Sequence, residues 1–342
     1  MNKIKRVKII AEVGVNHNGS FAMAKKIIKK LSKLDIDYIK FQLANPDLVY
    51  SKDSFKADYQ NIFDPKISIK EMSKKLQLTL SEHLALNKIC RKYGKLYSCT
   101  AFDLESLKFL VHKINIPFIK IPSGEITSVD ILEYAAKQNK KILLSTGMST
   151  YKDINNAIKI LKKYKKKDIV IMHCTSTYPA KDQFLNINVL DEIKNRFKLQ
   201  VGYSDHSLND LASLAAISKG AKFIEKHITL NKNFSGPDHS ASYDINDFKN
   251  FVNKSRKLEI ILGSKKKIFS EEENKIRKMA RKSIVTRVNI YKNKKIFAKD
   301  ITFKRPGTGL SPLYYKKVLK NRLTIDLKKN KVITKNMLKY SL

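Results

Sequence analysis

Carboxylates are scarce in this chain of 342 residues: 31 Asp+Glu stand against 69 Lys+Arg, a formal charge of +38. Glycine and proline are also few, at 11 and 8, and with 42% hydrophobic residues this excludes a disordered or low-complexity chain. No apolar run approaches the roughly 18 residues of a membrane span. The first fifteen residues are basic and then apolar, as in a signal peptide. Glu12 interrupts the apolar stretch and no small-residue cleavage site follows, so the segment reads as a first strand. Only three cysteines occur, Cys90, Cys99 and Cys174, at no metal-ligand spacing. That odd count predicts free thiols in a reducing, cytoplasmic setting rather than a disulfide framework.

The basic excess raises nucleic acid as a partner. The lysines, however, are spread over most helix candidates, in runs such as 162–167 and 265–267, and no basic motif interleaved with aromatics occurs. A solvated lysine-rich surface is the reading this favours. A basic barrel that binds RNA without chemistry is the rival from a different class.

What the sequence has in quantity is alternation. Short apolar runs at 7–13, 38–42, 96–100, 118–122, 141–145, 169–174, 200–204 and 223–229 are parted by lysine-rich amphipathic stretches of helical length. Eight strand–helix units over about 260 residues fit a (β/α)8 TIM barrel. An open doubly wound sheet fits less well, because no glycine-rich phosphate fingerprint follows the first run. Ser20 is placed to cap a helix over 21–34, and Asp103 one over 104–112. The segment 43–76 is a long insertion of the kind that shapes a substrate pocket. The barrel is expected over 1–263. A linker over 264–282 carries a short helix opened by the capping-box pair Ser270 and Glu273. A small β-rich unit follows over 283–342, and its size predicts that it docks on a barrel, its own or a partner's.

In such a barrel the active site lies at the carboxyl ends of the strands. Glu12, Asn16 and His17 close the first run, Lys40 and Gln42 the second, Thr100 the third, and Lys120, Ser123 and Glu125 the fourth. Ser145 closes the fifth, His173 and Cys174 the sixth with Tyr178 beyond, Ser204, Asp205 and His206 the seventh, and Glu225, Lys226 and His227 the eighth. An unpaired ammonium inside a barrel is expensive, so Lys40 and Lys120 require an anion nearby. One reading is an internal salt bridge with Glu12, Glu125 or Glu225. The other is a phosphate or carboxylate ligand, joined by the hydroxyls of Thr100, Ser123, Ser145 and Ser204. A Schiff-base lysine is a third. His206 and His227 end adjacent strands and either converge on a divalent metal such as Mn2+, Zn2+ or Fe2+ or stand as ordinary barrel residues, with His17 and His173 joining or bracing them. Asp238 reads equally well as a turn residue.

The stretches 10–20 (IAEVGVNHNGS), 39–42 (IKFQ), 119–127 (IKIPSGEIT), 144–148 (LSTGM), 173–179 (HCTSTYP), 201–207 (VGYSDHS), 224–230 (IEKHITL) and 235–242 (SGPDHSAS) resemble the sialic acid synthase family. They run in order over almost the whole chain, and its last part resembles the family's antifreeze-like (SAF) domain. The resemblance implies condensation of phosphoenolpyruvate with open-chain N-acetylmannosamine to N-acetylneuraminate and phosphate, with cleavage of the carbon–oxygen bond. It implies that Lys40, Thr100, Lys120, Ser123, Ser145, Ser204 and His206 hold phosphoenolpyruvate. His206 and His227 would bind a divalent metal, Mn2+ before Mg2+ or Co2+. Glu12 and Glu125 match positions for sugar binding and proton handling, and Tyr178 and Asp238 match sugar contacts. Arg305 matches an arginine that the SAF domain of one subunit delivers to its partner's barrel, so a homodimer with swapped small domains is expected, with no membrane and no nucleic-acid partner. Ser176, Ala101, Asn293 and Asn330 depart from the family pattern. The stretch 236–239 is closer to the N-acetylneuraminate and legionaminate synthases than to the pseudaminate branch, which makes legionaminic acid synthase, acting on 2,4-diacetamido-2,4,6-trideoxymannose, the alternative.

Overall fold

The computed structural model describes residues 6–57, 60–61 and 66–341. Positions 1–5 of the expected first-strand segment, 58–59 and 62–65 of the insertion, and 342 of the small unit lie outside the described residues. The chain divides into two compact units, Met1–Gly263 and Ser264–Leu342.

In the first unit the eight apolar runs are strands: β1 (Lys8–Gly14), β2 (Tyr38–Leu43), β3 (Leu96–Ala101), β4 (Phe118–Ile121), β5 (Lys141–Ser145), β6 (Ile169–Cys174), β7 (Gln200–Asp205) and β8 (Phe223–His227). They pair in the order β3-β2-β1-β8-β7-β6-β5-β4. The pairings are parallel. β3 and β4 lie side by side at the remaining seam. No ladder joins them among the described residues. The result is the (β/α)8 barrel that the alternation predicts.

Period-two alternation sends successive side chains to opposite faces of each strand, and it builds the site from below. Ile10, Phe118, Leu143, Val170, Met172 and Phe223 form a dry plug inside the barrel, with Tyr38 packed on it. Two residues further along β1, β2, β4, β5 and β8, the same inward rows continue as Glu12, Lys40, Lys120, Ser145 and Glu225. Outward residues such as Ile9, Ala11, Val13, Ile39 and Ile171 pack against the helix layer.

The helix over Phe21–Leu31 starts where Ser20 accepts the Met23 N–H. Asp103 accepts the Ser106 N–H at the start of Leu104–Phe109. The single helix expected over 104–112 is corrected, because the chain widens into a π-helical turn over Leu110–Ile114 before Asn115 takes a left-handed conformation (φ 59°). That turn puts Leu110, Val111 and Ile114 into the core together. The insertion holds helices Pro46–Val49 and Ile69–Leu76. Ile69, Met72 and Leu76 form an apolar cluster against Val15, Tyr50 and Ile67.

The second unit opens with the helix Glu271–Ala280, where Ser270 accepts the Glu273 N–H. β9 (Ser283–Thr286) and β10 (Ile301–Lys304) pair antiparallel. This unit closes a core of its own around Ile284, Ile290, Ile296, Val318, Leu323 and Ile333. Asn293 (φ 65°) and Asn330 (φ 66°), the departures from the family's turns, take the left-handed conformation that asparagine tolerates better than most residues. No helix among the described residues is long and apolar enough to cross a membrane.

Candidate active site

The inward rows bring four charges to one level. Lys40 Nζ lies 2.7 Å from Glu12 Oε2 and 3.6 Å from Glu225 Oε2. Lys120 Nζ donates to Glu225 Oε1 at 2.7 Å, and Ser204 Oγ donates to the same oxygen at 3.0 Å. Lys40 also donates to Thr100 Oγ1 at 2.7 Å, and Gln42 Nε2 to Glu12 Oε1 at 3.0 Å. Each member of this set is at most 5% exposed apart from Gln42. Two ammonium groups therefore face two carboxylates, which is the internal salt bridge of the first reading.

The two carboxylates are not equivalent. Burial raises both, but Glu225 stands between Lys120 and Lys40, whose fields hold it well below the usual carboxylate range. Burial pushes Glu12 up to about 7, where Lys40 pulls it down and the Glu225 charge opposes that pull. Burial also works against the Lys40 ammonium, and the two carboxylates more than offset it, raising its pKa.

Beside this set stand the two imidazoles, His206 and His227, with ring centroids 5.4 Å apart. His206 Nδ1–H donates to the Thr175 carbonyl at 2.8 Å, which leaves Nε2 as the acceptor, 3.1 Å from the Tyr178 hydroxyl. The Tyr178 ring stacks on His206 at 4.2 Å. Burial disfavours the His206 cation, but Cys174 Sγ, 3.7 Å from Nδ1, the Thr175 carbonyl and the Glu225 charge together outweigh it and the pKa moves up. Burial drives His227 far down, so it is neutral. Its Nδ1 is buried without a hydrogen-bond partner among the described residues and lies 3.8 Å from Asp238 Oδ2.

A cavity of about 270 Å³ joins these groups, lined by Glu12, Lys40, Thr100, Lys120, Ser123, Ser145, Tyr178, Ser204, His206, Glu225 and His227. Ser145 Oγ is buried in it with no protein partner among the described residues. Every expected anion-holding residue and both expected metal-holding residues therefore share one space. Two glycines pack closely against its lining residues. Gly14 takes φ 54°, and a Cβ there would stand 3.2 Å from Gln42 Nε2 and 3.6 Å from His227 Cε1. A Cβ on Gly147 would lie 2.0 Å from Ser176 Oγ and 2.8 Å from Ser123 Oγ, the latter accepting the Gly147 N–H at 3.0 Å.

Three expected residues lie elsewhere. The 3₁₀ turn Ser123–Glu125 carries the Glu125 carboxylate to the Ser128 hydroxyl, half-buried and off the cavity lining. Asp238, raised by burial to about 6, lines an adjoining pocket of about 210 Å³ that shares Gln42, Phe102 and Tyr178 with the first cavity. Arg305 is exposed on the second unit. Neither auxiliary histidine lines the cavity: His17 Nδ1 accepts the Gly19 N–H at 3.1 Å, and His173 Nε2–H donates to the Leu185 carbonyl at 2.8 Å. Glu225, which the sequence offers only as a strand-end counter-charge, also lines the cavity, and its inward position follows from its place two residues before His227.

The unpartnered His227 nitrogen beside a second imidazole fits a divalent ion, with imidazole suited to transition metals. No group of three His, Cys, Asp or Glu side chains is arranged for an ion among the described residues, so the protein offers two imidazoles and an open remainder.

A (β/α)8 barrel with lysines, hydroxyls and paired imidazoles at its strand tips has the architecture of an enzyme for a small anionic substrate. The NeuB family profile matches residues 27–267, and the SAF domain profile residues 281–339. The chain belongs to the NeuB family. It is 38% identical over 324 residues to the N,N'-diacetyllegionaminic acid synthase of Legionella pneumophila, covering 93% of this chain and 91% of that protein. The enzyme of the same name from Campylobacter jejuni is 38% identical over 333 residues, covering 96% of this chain and 99% of the other. The crystal structure of N-acetylneuraminic acid (sialic acid) synthetase from Leptospira borgpetersenii in complex with citrate matches with a TM-score of 0.71 at 28% identity, covering 80% of this chain and 90% of that one. The chain is an enzyme of the sialic, legionaminic and pseudaminic acid synthase type.

Proposed function

We propose that this enzyme joins phosphoenolpyruvate to the aldehyde of an open-chain, N-acetylated mannose-type sugar, giving a 2-keto sugar acid and inorganic phosphate. The observation that carries this reading is the gathering of Lys40, Lys120 and the hydroxyls of Thr100, Ser123, Ser145 and Ser204 around one cavity beside two imidazoles. Charge-assisted contacts from lysines and hydroxyls suit a ligand with both a carboxylate and a phosphate. Carbon 3 of phosphoenolpyruvate attacks the aldehyde carbon, and the aldehyde oxygen gains a proton. Carbon 2 becomes cationic, water adds there with loss of a proton, and the carbon–oxygen bond to phosphate breaks. Glu12, with its pKa raised to about 7, both gives and takes a proton near neutral pH. His206 and His227 would hold a divalent ion, Mn2+ before Mg2+ or Co2+, which supplies Lewis-acid polarisation of the aldehyde. Arg305 is assigned to the sugar of a partner subunit's barrel in a homodimer.

For the sugar we infer 2,4-diacetamido-2,4,6-trideoxymannose. Val15, Met72, Leu76, Phe102 and Pro237 form an apolar side of the adjoining pocket, while Gln42, Tyr50, Gln60, Ser73, Gln77, Tyr178 and Asp238 give it polar groups for acetamides. A terminal methyl gains where it meets the apolar side, and the polar side offers partners to two acetamides. The names of the Legionella and Campylobacter relatives point the same way. N-acetylmannosamine is the second reading, favoured by the Leptospira structure. Phosphate release with phosphoenolpyruvate, Mn2+ and each sugar in turn tests both. The trideoxy sugar is expected to lead in kcat/KM by about 10–200-fold, the worth of one group in an apolar pocket. A lead for N-acetylmannosamine overturns the sugar assignment, and no release with any sugar overturns the reaction.

A further inference from the structure

Lys226 is among the largest fully buried side chains of the protein, and the chemistry above does not use it. It stands one residue before His227, and Asp205 stands one residue before His206. The register pairs Asp205 with Lys226 across β7 and β8. Because alternate side chains point to opposite faces, the two histidines face the cavity while Asp205 and Lys226 meet behind the same wall, on the helix side.

There they form an ion pair at 2.9 Å, with side chains 0% and 2% exposed. The Lys226 ammonium also donates to the carbonyls of Ser207 at 2.8 Å and Asn209 at 3.1 Å, so all three of its protons are used. Asp205 Oδ1 accepts the Ser207 N–H at 2.9 Å, and Oδ2 accepts the Ser213 hydroxyl at 2.6 Å. These bonds close the turn that leaves His206. On the other side the ammonium lies 4.3 Å over the Tyr243 ring, and the Tyr243 N–H donates to the His227 carbonyl at 3.0 Å. One buried cation thus ties the tip of β7, the turn after His206 and the segment bonded to His227.

A buried, fully satisfied ion pair contributes geometry more than stability, since apolar or neutral residues of similar volume often serve the fold as well. The geometry points to Asp205 and Lys226 as positioning residues that fix the separation and orientation of the His206 and His227 imidazoles. The assignment rests on the reading that these two histidines hold a divalent ion, where residues behind the ligands set their orientation.

The test is Mn2+ binding to the metal-free full-length protein, by titration calorimetry, for wild type, His227→Ala, Lys226→Met and the charge-balanced double variant Asp205→Asn/Lys226→Met. Thermal melting is followed in parallel. The single variant leaves Asp205 buried without its cation and is expected to melt early or fail to fold. The double variant is expected to melt close to wild type, yet bind Mn2+ about 10-fold more weakly, as the loosened turn after His206 lets the imidazole drift. The KM for phosphoenolpyruvate at saturating Mn2+ is expected to change less than the Mn2+ affinity, because Lys40 and Lys120 stand on other strands and only Ser204 and His206 adjoin Asp205. A folded double variant with wild-type Mn2+ affinity overturns the positioning role. Wild type binding no better than His227→Ala overturns the metal reading and the positioning role with it. If the double variant also fails to fold, Lys226→Arg, which keeps the cation but changes its reach, must show the same selective loss of Mn2+ affinity or the inference falls.

Discussion

Replacing Lys120 by Met separates the two explanations for a lysine inside the barrel. Glu225 would lose its 2.7 Å partner and keep only Ser204 at 3.0 Å and Lys40 at 3.6 Å. Removing one partner of a buried pair costs about 3–5 kcal/mol, which at about 2–4 °C per kcal/mol lowers the melting temperature by roughly 6–20 °C. The double variant Lys120→Met/Glu225→Gln restores neutrality, keeps an acceptor for the Ser204 hydroxyl, and is expected to recover most of that loss. Catalysis should not recover. A missing charge-assisted contact to phosphoenolpyruvate is worth about 1.5–3 kcal/mol, or about 10–150-fold in kcat/KM for that substrate. Melting curves together with phosphate release over a range of phosphoenolpyruvate concentrations supply both quantities. A stable double variant with wild-type kcat/KM would show that Lys120 only neutralises Glu225, and the substrate role would be withdrawn.

Glu12 makes stability depend on pH. The folded carboxyl keeps its proton to about pH 7 and the unfolded one releases it near 4.5, so between these values the native state holds more protons and this contribution to stability falls as pH rises. Glu12→Gln is expected to remove that slope, and denaturant midpoints that run parallel for the two proteins from about pH 4.5 to 7 contradict it. His227→Ala is expected to abolish Mn2+-dependent turnover with circular dichroism unchanged; full activity would refute the metal assignment. Gly147→Ala drives a methyl against Ser176 Oγ and Ser123 Oγ. It should cost about 1–3 kcal/mol of stability and raise the KM for phosphoenolpyruvate, whereas an unchanged KM would show that Ser123 is not part of the substrate's grip. Arg305→Ala should impair sugar use, and mixing it with Lys120→Met/Glu225→Gln should restore some turnover through mixed dimers; no restoration refutes action across subunits.

The barrel was legible because its strands, covered on both faces, read as unbroken apolar runs, and because polar side chains begin two residues above the plug. That rule places Lys40, Lys120, His206 and His227 around one cavity, and Glu225 obeys it equally. It was passed over because a carboxylate beside two lysines reads as their counter-charge rather than as part of a site. Glu125 lies off the cavity lining for a local reason: the 3₁₀ turn after β4 redirects a side chain that strand alternation no longer governs. The π-helical turn at Leu110–Ile114 left no trace, since three core-facing apolar residues satisfy either winding. Lys226 and Asp205 each read as polar residues at a strand end, and their pairing spans 21 residues, a distance that spacing rules do not reach.

The unstitched seam between β3 and β4 falls between Thr100, which accepts from Lys40, and Lys120. Elsewhere in the cylinder the backbone fixes how far apart neighbouring staves stand; at this joint, among the described residues, no backbone ladder does. A guest that grips Thr100 and Lys120 at once becomes the missing rung, and the wall should stiffen there on loading. Amide hydrogens of Ala101 and Ile121 are where that stiffening would register, as slower exchange with deuterium.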